Sequence, residues 1–187
     1  NASELFKAMG EKVKEADSLL LAGFISENLG EKSVALEFYN KALPLFQFLN
    51  NKEQEAITLN NIGRVYDELN ERDQAMKYLD NSLSISKQIE NKELIGLALN
   101  NIGLIHLHLG KNEEALKYFN ESLFIRKSIN DKRGESTVLH NLAGIYDNIG
   151  QPEKALQSYQ ESLAISIETG DRGGEAITLT NIGRVYL

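Results

Sequence analysis

The chain predicts an all-α fold made by stacking one helical hairpin several times, and three observations carry that prediction. The phrases Asn61-Ile62-Gly63, Asn101-Ile102-Gly103, Asn141-Leu142-Ala143 and Asn181-Ile182-Gly183 recur about every 40 residues, a period that marks a repeat array. Within each period the apolar and small residues fall at helical spacing rather than alternating as in a strand. Between the stripes, Leu29-Gly30, Leu69-Asn70, Leu109-Gly110 and Ile149-Gly150 put Gly or Asn where a left-handed helix cap belongs. Because a stacked unit buries its apolar face against the next, the 187 residues are expected to form one array, 1–187. Its repeats are placed at about 14–53, 54–93, 94–133 and 134–173, with a partial fifth at 174–187.

Residues 4–29 read as an opening helix, or as two shorter ones broken at Gly10. Pro44 falls inside the second helix of the first repeat, where a missing N–H and a ring clash of about 3 kcal/mol predict a kink between Asn40 and Pro44. The second repeat shows the pattern most plainly. Its first helix, roughly 54–69, carries Ala56, Leu59, Ile62, Gly63, Tyr66 and Leu69 on one stripe. Its second helix, roughly 72–89, carries Ala75, Leu79, Ser82, Leu83, Ser86 and Ile89, with equivalents at Ala115, Phe119, Ser122, Leu123 and at Ala155, Tyr159, Ser162, Leu163. Gly63 and Gly103 stand mid-helix at about 1 kcal/mol each relative to Ala, which predicts a close neighbour packed over them.

Helix starts are expected at Asn112, acting as a cap before Glu113-Glu114, and at Gln151-Pro152-Glu153, with Pro at a first helical position. Residues 130–134 and 170–174 read as polar turns; the latter is not a phosphate loop, since no strand or Lys-Ser/Thr pair accompanies it. The last segment, Glu175 to Leu187, supplies the first helix of the partial repeat. Its stripe of Ile182, Val185, Tyr186 and Leu187 is expected to face water, which makes the chain read as a fragment or else as half of a homodimer joined through that helix.

Composition narrows the function classes. A net charge of −7 speaks against a nucleic-acid footprint, and no apolar run approaches the roughly 20 residues of a membrane span. The absence of Cys removes disulfides, thiolate nucleophiles and Cys-based metal sites, and fits a cytoplasmic protein. Three His residues, His106, His108 and His140, offer at most two imidazoles across adjacent units, too few for a metal site. No Ser-His-Asp spacing, phosphate cradle or buried carboxylate pair emerges, so neither catalysis nor a cofactor is expected.

The run Leu59, Ile62, Gly63, Tyr66, then Ala75 and Leu79, with matching sets from Leu99 to Phe119 and from Leu139 to Tyr159, resembles the tetratricopeptide repeat family. The likeness is to its forty-residue variety, found in kinesin light chains and Leu-Gly-Asn-repeat polarity adaptors. It implies a right-handed superhelix, an α-solenoid of about 4.5 antiparallel helix-turn-helix repeats, whose first helices line a concave wall where partners bind. The chain departs from the family's aromatic one turn before the Leu-Gly pair, with Leu59, Leu99, Leu139 and Leu179, and has His106 where other units have Tyr66, Tyr146 and Tyr186.

On the first helix of the second repeat, the stripe of Ile57, Asn60, Asn61, Arg64 and Glu68 lies nearly opposite the packing stripe. The resemblance places it in the groove, together with Leu97, Asn100, Asn101, Leu104 and His108, then Thr137, His140, Asn141, Gly144 and Asn148, and finally Ile177, Thr180, Asn181 and Arg184. Asn is less favourable than Ala mid-helix by up to about 0.7 kcal/mol, so Asn61, Asn101, Asn141 and Asn181 call for something that offsets the loss. Two readings stand open: the carboxamides grip a peptide backbone, as similar Asn columns in the relatives do, or each bonds to the neighbouring repeat.

Arg64 and Arg184 would favour a partner bearing a carboxylate, although Asp67, Glu68 and Asp147 share their surface. The family's carboxylate clamp needs Lys and Arg where this chain has Asn100, Leu104, Thr137 and Gly144, which argues against a chaperone tail as client. In the first repeat the matching positions are Leu20, Leu21 and Phe24, which either receive an apolar anchor or are capped by Leu5, Phe6 and Met9. The expected function is a protein-interaction scaffold that holds an extended peptide segment of a partner. The alternative is a self-associating or regulatory repeat domain of a larger signalling protein.

Overall fold

The computed structural model describes residues 2–186, with side chains at position 7 and from 9 to 186. Among these residues every regular element is an α-helix: α1 (Ala2–Asn28), α2 (Lys32–Phe48), α3 (Lys52–Glu68), α4 (Arg72–Gln88), α5 (Lys92–His108), α6 (Asn112–Ser128), α7 (Lys132–Asn148), α8 (Pro152–Thr169) and α9 (Arg172–Val185). They group into two compact units, residues 1–94 and 95–187, with the division falling inside α5. In the first unit α1 packs on α2, α2 on α3 and α3 on α4; in the second, α6 packs on α7, α7 on α8 and α8 on α9. The first helices α3, α5, α7 and α9 begin two or three residues earlier than the periodicity predicts, because the preceding Asx residue caps each of them. Asn51 accepts from Gln54 N at 3.1 Å, Asn91 from Leu94 N at 3.1 Å, Asp131 from Gly134 N at 2.9 Å and Asp171 from Gly174 N at 3.0 Å.

The second helices start differently. Glu31, Glu71, Lys111 and Gln151 hold the cap positions of α2, α4, α6 and α8 without a side-chain bond. The expected cap Asn112 is therefore corrected to Lys111, with Asn112 as the first residue of α6. The reason lies in the turn before it: Gly110, at φ 71°, closes α5 so tightly that Lys111 N already bonds His106 O at 2.9 Å, and the new helix begins at once. Gly30, Asn70 and Gly150 are left-handed as predicted, with φ of 80°, 62° and 69°. The turns between hairpins use the same device at Asn50, Glu90, Asn130 and Gly170. Pro152 opens α8 at its first turn as expected.

Of the two alternatives for the opening segment the single helix is found: α1 runs unbroken through Gly10, which has open space around it. Pro44 lies exposed inside α2, whose helical span continues to Phe48.

Packing explains the mid-helix glycines. A Cβ built on Gly63 would lie 2.7 Å from Leu79 Cγ, and one on Gly103 would lie 2.8 Å from the Phe119 ring. Each large residue is fully buried and rests on bare backbone. A serine then fastens three of the helix pairs, α3 to α4, α5 to α6 and α7 to α8. Ser82 donates to Ala56 O at 2.8 Å, Ser122 to Gly96 O at 2.7 Å and Ser162 to Ser136 O at 3.0 Å, each reaching back 26 residues. The small residues that sequence periodicity assigns to close approach thus also satisfy buried hydroxyls. His106 stacks on Tyr118 at 5.1 Å much as Tyr66 stacks on Tyr78 at 5.5 Å.

The terminal stripe is corrected in part. Ile182 and Val185 pack against Ala143, Ala155 and Tyr159, so they do not face water. The bare face of α9 is instead that of Ala176, Leu179, Gly183 and Tyr186. Leu187 lies outside the described residues, and so do the side chains of Leu5 and Phe6, expected as a cap with the exposed Met9.

Candidate peptide-binding face

In the first unit α1 comes beside α3, in the second side chains of α7 and α9 meet, and residues three or four apart on these helices form the face in question. In the first unit α1 contributes Asp17, Leu20, Leu21 and Phe24, and α3 contributes Gln54, Ile57 and Asn61, around an open pocket of about 320 Å³. Leu21 is 58% and Phe24 47% exposed, although both are large and apolar. In the second unit the positions 120 residues later, Thr137, His140, Asn141, Gly174 and Ile177 among them, line a pocket of about 390 Å³ between α7 and α9. Arg133, Ser136, Ser162, Asp171 and Thr178 complete its wall, so the equivalent place is polar and rich in hydroxyls.

Three members of the Asn column, Asn101, Asn141 and Asn181, are engaged within the protein. Asn141 Nδ2 donates to Asn100 Oδ1 at 2.9 Å, and Asn181 Nδ2 lies 3.2 Å from His140 Nε2, each reaching back 41 residues to the preceding hairpin. Asn100 Nδ2 in turn lies 3.3 Å from Asn101 Oδ1. Asn60, Asn100 and Asn101 are buried, whereas Asn61, His140, Asn141 and Asn181 are half-buried and retain a wet edge. Burial lowers the pKa of His140, and the cationic Arg184 nearby lowers it further. Both effects disfavour the imidazolium, and in the tautomer that leaves Nε2 bare the ring accepts from the Asn181 amide on α9.

The two arginines are committed as well. Arg64 Nη2 lies 2.8 Å from Glu27 Oε2, the same oxygen that accepts from Tyr39 Oη at 2.8 Å. Arg184 Nη2 lies 3.2 Å from Asp147 Oδ2, and the buried Tyr159 stands beside this pair. Desolvation raises the pKa of both Tyr39 and Tyr159, and the bond to the Glu27 carboxylate raises Tyr39 further. Each arginine thus fastens one hairpin to the preceding one rather than standing as a free cation. Acid, tyrosine and arginine recur 120 residues apart, a signal present in the sequence that single-period reading overlooks.

Leu104 is half-buried and packs against the cluster of Ala115, Phe119, Val138, Leu142 and Ile145. His108 and Asn148 are exposed at the C-terminal ends of α5 and α7. Among the described residues no group of three or more His, Cys, Asp or Glu is placed to hold a metal ion, and no helix is long and apolar enough to cross a membrane.

Recurring helical hairpins, with a large residue of the second helix seated on a glycine or alanine of the first, as Leu79 on Gly63, Phe119 on Gly103 and Tyr159 on Ala143, define an all-α repeat protein of the solenoid class. The family model described as tetratricopeptide repeat matches residues 14–88 and 94–168, and the chain belongs to that family. No curated protein sequence matches the chain significantly. Among solved structures, BtubC (BKLC) from P. vanneervenii is 20% identical over 97% of this chain and 83% of its own, with a TM-score of 0.76. A Signal Transduction ATPase with Numerous Domains with a tetratricopeptide repeat sensor, from Pyrococcus horikoshii, is 21% identical over 96% of this chain and 28% of its own, with a TM-score of 0.82. A Rap protein complexed with Competence and Sporulation Factor is 15% identical over 92% of this chain and 48% of its own, with a TM-score of 0.81. Likeness at these identities is likeness of fold. The chain spans less than half the length of the latter two.

Proposed function

We propose that this chain is a protein-interaction scaffold, its repeats acting as a single array that holds an extended peptide segment of a partner along the row of first helices. The observation that carries the reading is the open pocket of α1 and α3, where Leu20, Leu21, Phe24 and Ile57 stay accessible beside the carboxamide of Asn61. A large apolar side chain of the partner enters there, while the wet edges of Asn61, Asn141 and Asn181 bond its backbone. The Rap neighbour complexed with Competence and Sporulation Factor supports recognition by such a fold. Recruitment, with neither chemistry nor cofactor, is the role assigned, in the cytoplasm and with no part for nucleic acid or membrane.

A random peptide display library tests this. Peptides selected on the chain should carry a large apolar residue and should lose binding to the double variant Leu21→Asp, Phe24→Asp, which melts like the parent because both side chains are already exposed. Selected peptides that bind the double variant unchanged would refute it.

A second reading, a regulatory or self-associating repeat domain of a larger signalling protein, is favoured by the 28% share of the repeat-sensor ATPase that the chain covers.

A further inference from the structure

One face of α1 carries the pattern of the other first helices with its polarity inverted. Where α3, α7 and α9 have Asn61, Asn141 and Asn181, α1 has Leu21, and where α3 and α9 have Arg64 and Arg184 it has Phe24. Four residues before Leu21 the exchange runs the other way: Ile57, Leu97, Thr137 and Ile177 hold a position that in α1 is Asp17. The acid and the apolar residues have changed places. In the structure they meet, with Asp17, Leu21 and Phe24 standing opposite Ile57 and Asn61 around the open pocket between α1 and α3. Both walls are helices of this chain, and the pocket lies wholly within the first unit. Among the described residues that line it, Asp17 alone is charged. Asp17 is exposed, and no described Lys or Arg, Lys14 one turn away included, stands within ion-pair distance of it. The cations Lys32, Lys52 and Arg64 of the same unit are by contrast held by Glu68, Glu55 and Glu27.

We propose that this pocket selects a basic residue of the partner: the bound segment carries Lys or Arg two positions from its large apolar anchor, with the anchor on Leu21 and Phe24 and the cation on Asp17. The proposal rests on the scaffold reading and adds a charge to it. Spacing supports the pairing. In an extended segment, side chains two positions apart point the same way and stand about 7 Å apart. Residues four apart on a helix, as Asp17 and Leu21 are, stand roughly 6 Å apart on one face. A Lys or Arg stem lies on the apolar wall while its head stays at the wet rim beside the carboxylate. That wall keeps water from one side of the pair, which strengthens the attraction over that of a pair open on all sides. An acidic residue in the same place meets a carboxylate that no cation offsets, in a chain of net charge −7, and is rejected. Asn61 bonds peptide backbone whatever its side chains, so discrimination by charge falls to Asp17.

The probes are the peptides selected from the display library on the parent chain. Compared with the unselected library, they should be enriched in Lys or Arg two positions from the apolar anchor. They should bind Asp17→Asn at least about threefold more weakly at low ionic strength. That difference should vanish in about 1 M NaCl, where screening leaves a reach of only about 3 Å. Selection on Asp17→Lys should favour Asp and Glu at the same place. Both variants should melt with the parent, since Asp17 is exposed and bonded to no described residue. Glu37→Gln removes an equal charge from the exposed side of α2, outside the pocket, and should leave affinity at the parent's value. A loss there as large as that in Asp17→Asn would show net charge alone at work and overturn the proposal. Apolar anchors selected without the cation, or parental affinity for Asp17→Asn at low salt, would overturn it and leave the scaffold reading standing. Peptides indifferent to the Leu21→Asp, Phe24→Asp double variant would remove both.

Discussion

Glycine at position 63 and glycine at position 183 share a sequence context and differ in what stands above them, which makes the pair a direct measure of packing against propensity. Gly63→Ala drives a Cβ to 2.7 Å from Leu79 Cγ and should destabilise by about 1–3 kcal/mol. Gly183→Ala meets open space and should leave stability unchanged or raise it by up to about 1 kcal/mol through helix propensity. Urea unfolding of both variants reads the difference, and equal shifts would contradict the packing account. Glu90 makes a separate case. It holds φ 54°, a conformation that disfavours a side chain by about 1–2 kcal/mol, in a turn where the other hairpins use Asn or Gly. Glu90→Gly should therefore raise the melting temperature, since relief of that penalty exceeds the entropy glycine adds to the unfolded chain. The sequence announced the glycines, because only a close neighbour justifies them mid-helix. It did not announce Glu90, since Glu carries no turn signal of its own.

Between helices, the contacts that join one hairpin to the next combine charge with carboxamide bonding. The pairs Asn141 to Asn100 and Asn181 to His140 answer part of what the Asn column does, without excluding the ligand that its wet edges would still meet. Asn141→Ala would strand the buried carbonyl of Asn100 and should lower stability by about 1–3 kcal/mol. A melting temperature equal to the parent's would show that this bond carries no weight. The His140 contact is the titratable one. Around it stand Tyr159 from α8, Asn181 and Arg184 from α9, and Asp147 of its own helix paired with Arg184. Its folded pKa lies below the unfolded value of about 6.5, so the unfolded chain takes up protons more readily. The stability it contributes is full above about pH 6.5 and declines as pH falls below that value. Hydrogen exchange in α9 should accelerate at pH 5 relative to pH 7.5 in the parent, and His140→Asn, which supplies the residue found at positions 60 and 100, should flatten that dependence. The hydrophobic period made the helices legible, and the left-handed residues made their ends legible. The site was legible only as a face: that Arg64 and Arg184 are tied to Glu27 and Asp147 depends on which residue 37 positions earlier comes alongside, and helical periodicity within one repeat does not contain that.

Taken as a molecule, the protein has helices that touch mainly their sequence neighbours within each unit, so stability is expected to be local. Gly63→Ala should speed amide exchange in α3 and α4 and leave α7 and α8 protected; uniform acceleration throughout would show global cooperativity instead. Residues 175–186 of α9 repeat residues 55–66 of α3 except at one position, and that likeness bears on folding. During refolding α4 cannot tell the two apart by the side chains it contacts, since Ala56, Leu59, Gly63 and Tyr66 all have twins in α9. A mismatched hairpin between α4 and the α9 of another molecule would then form in competition with the native one, as strand exchange does in other tandem arrays. Folding yield should consequently fall as protein concentration rises, through entangled dimers that anneal slowly, and Leu179→Asp, which marks one twin as wrong, should restore it.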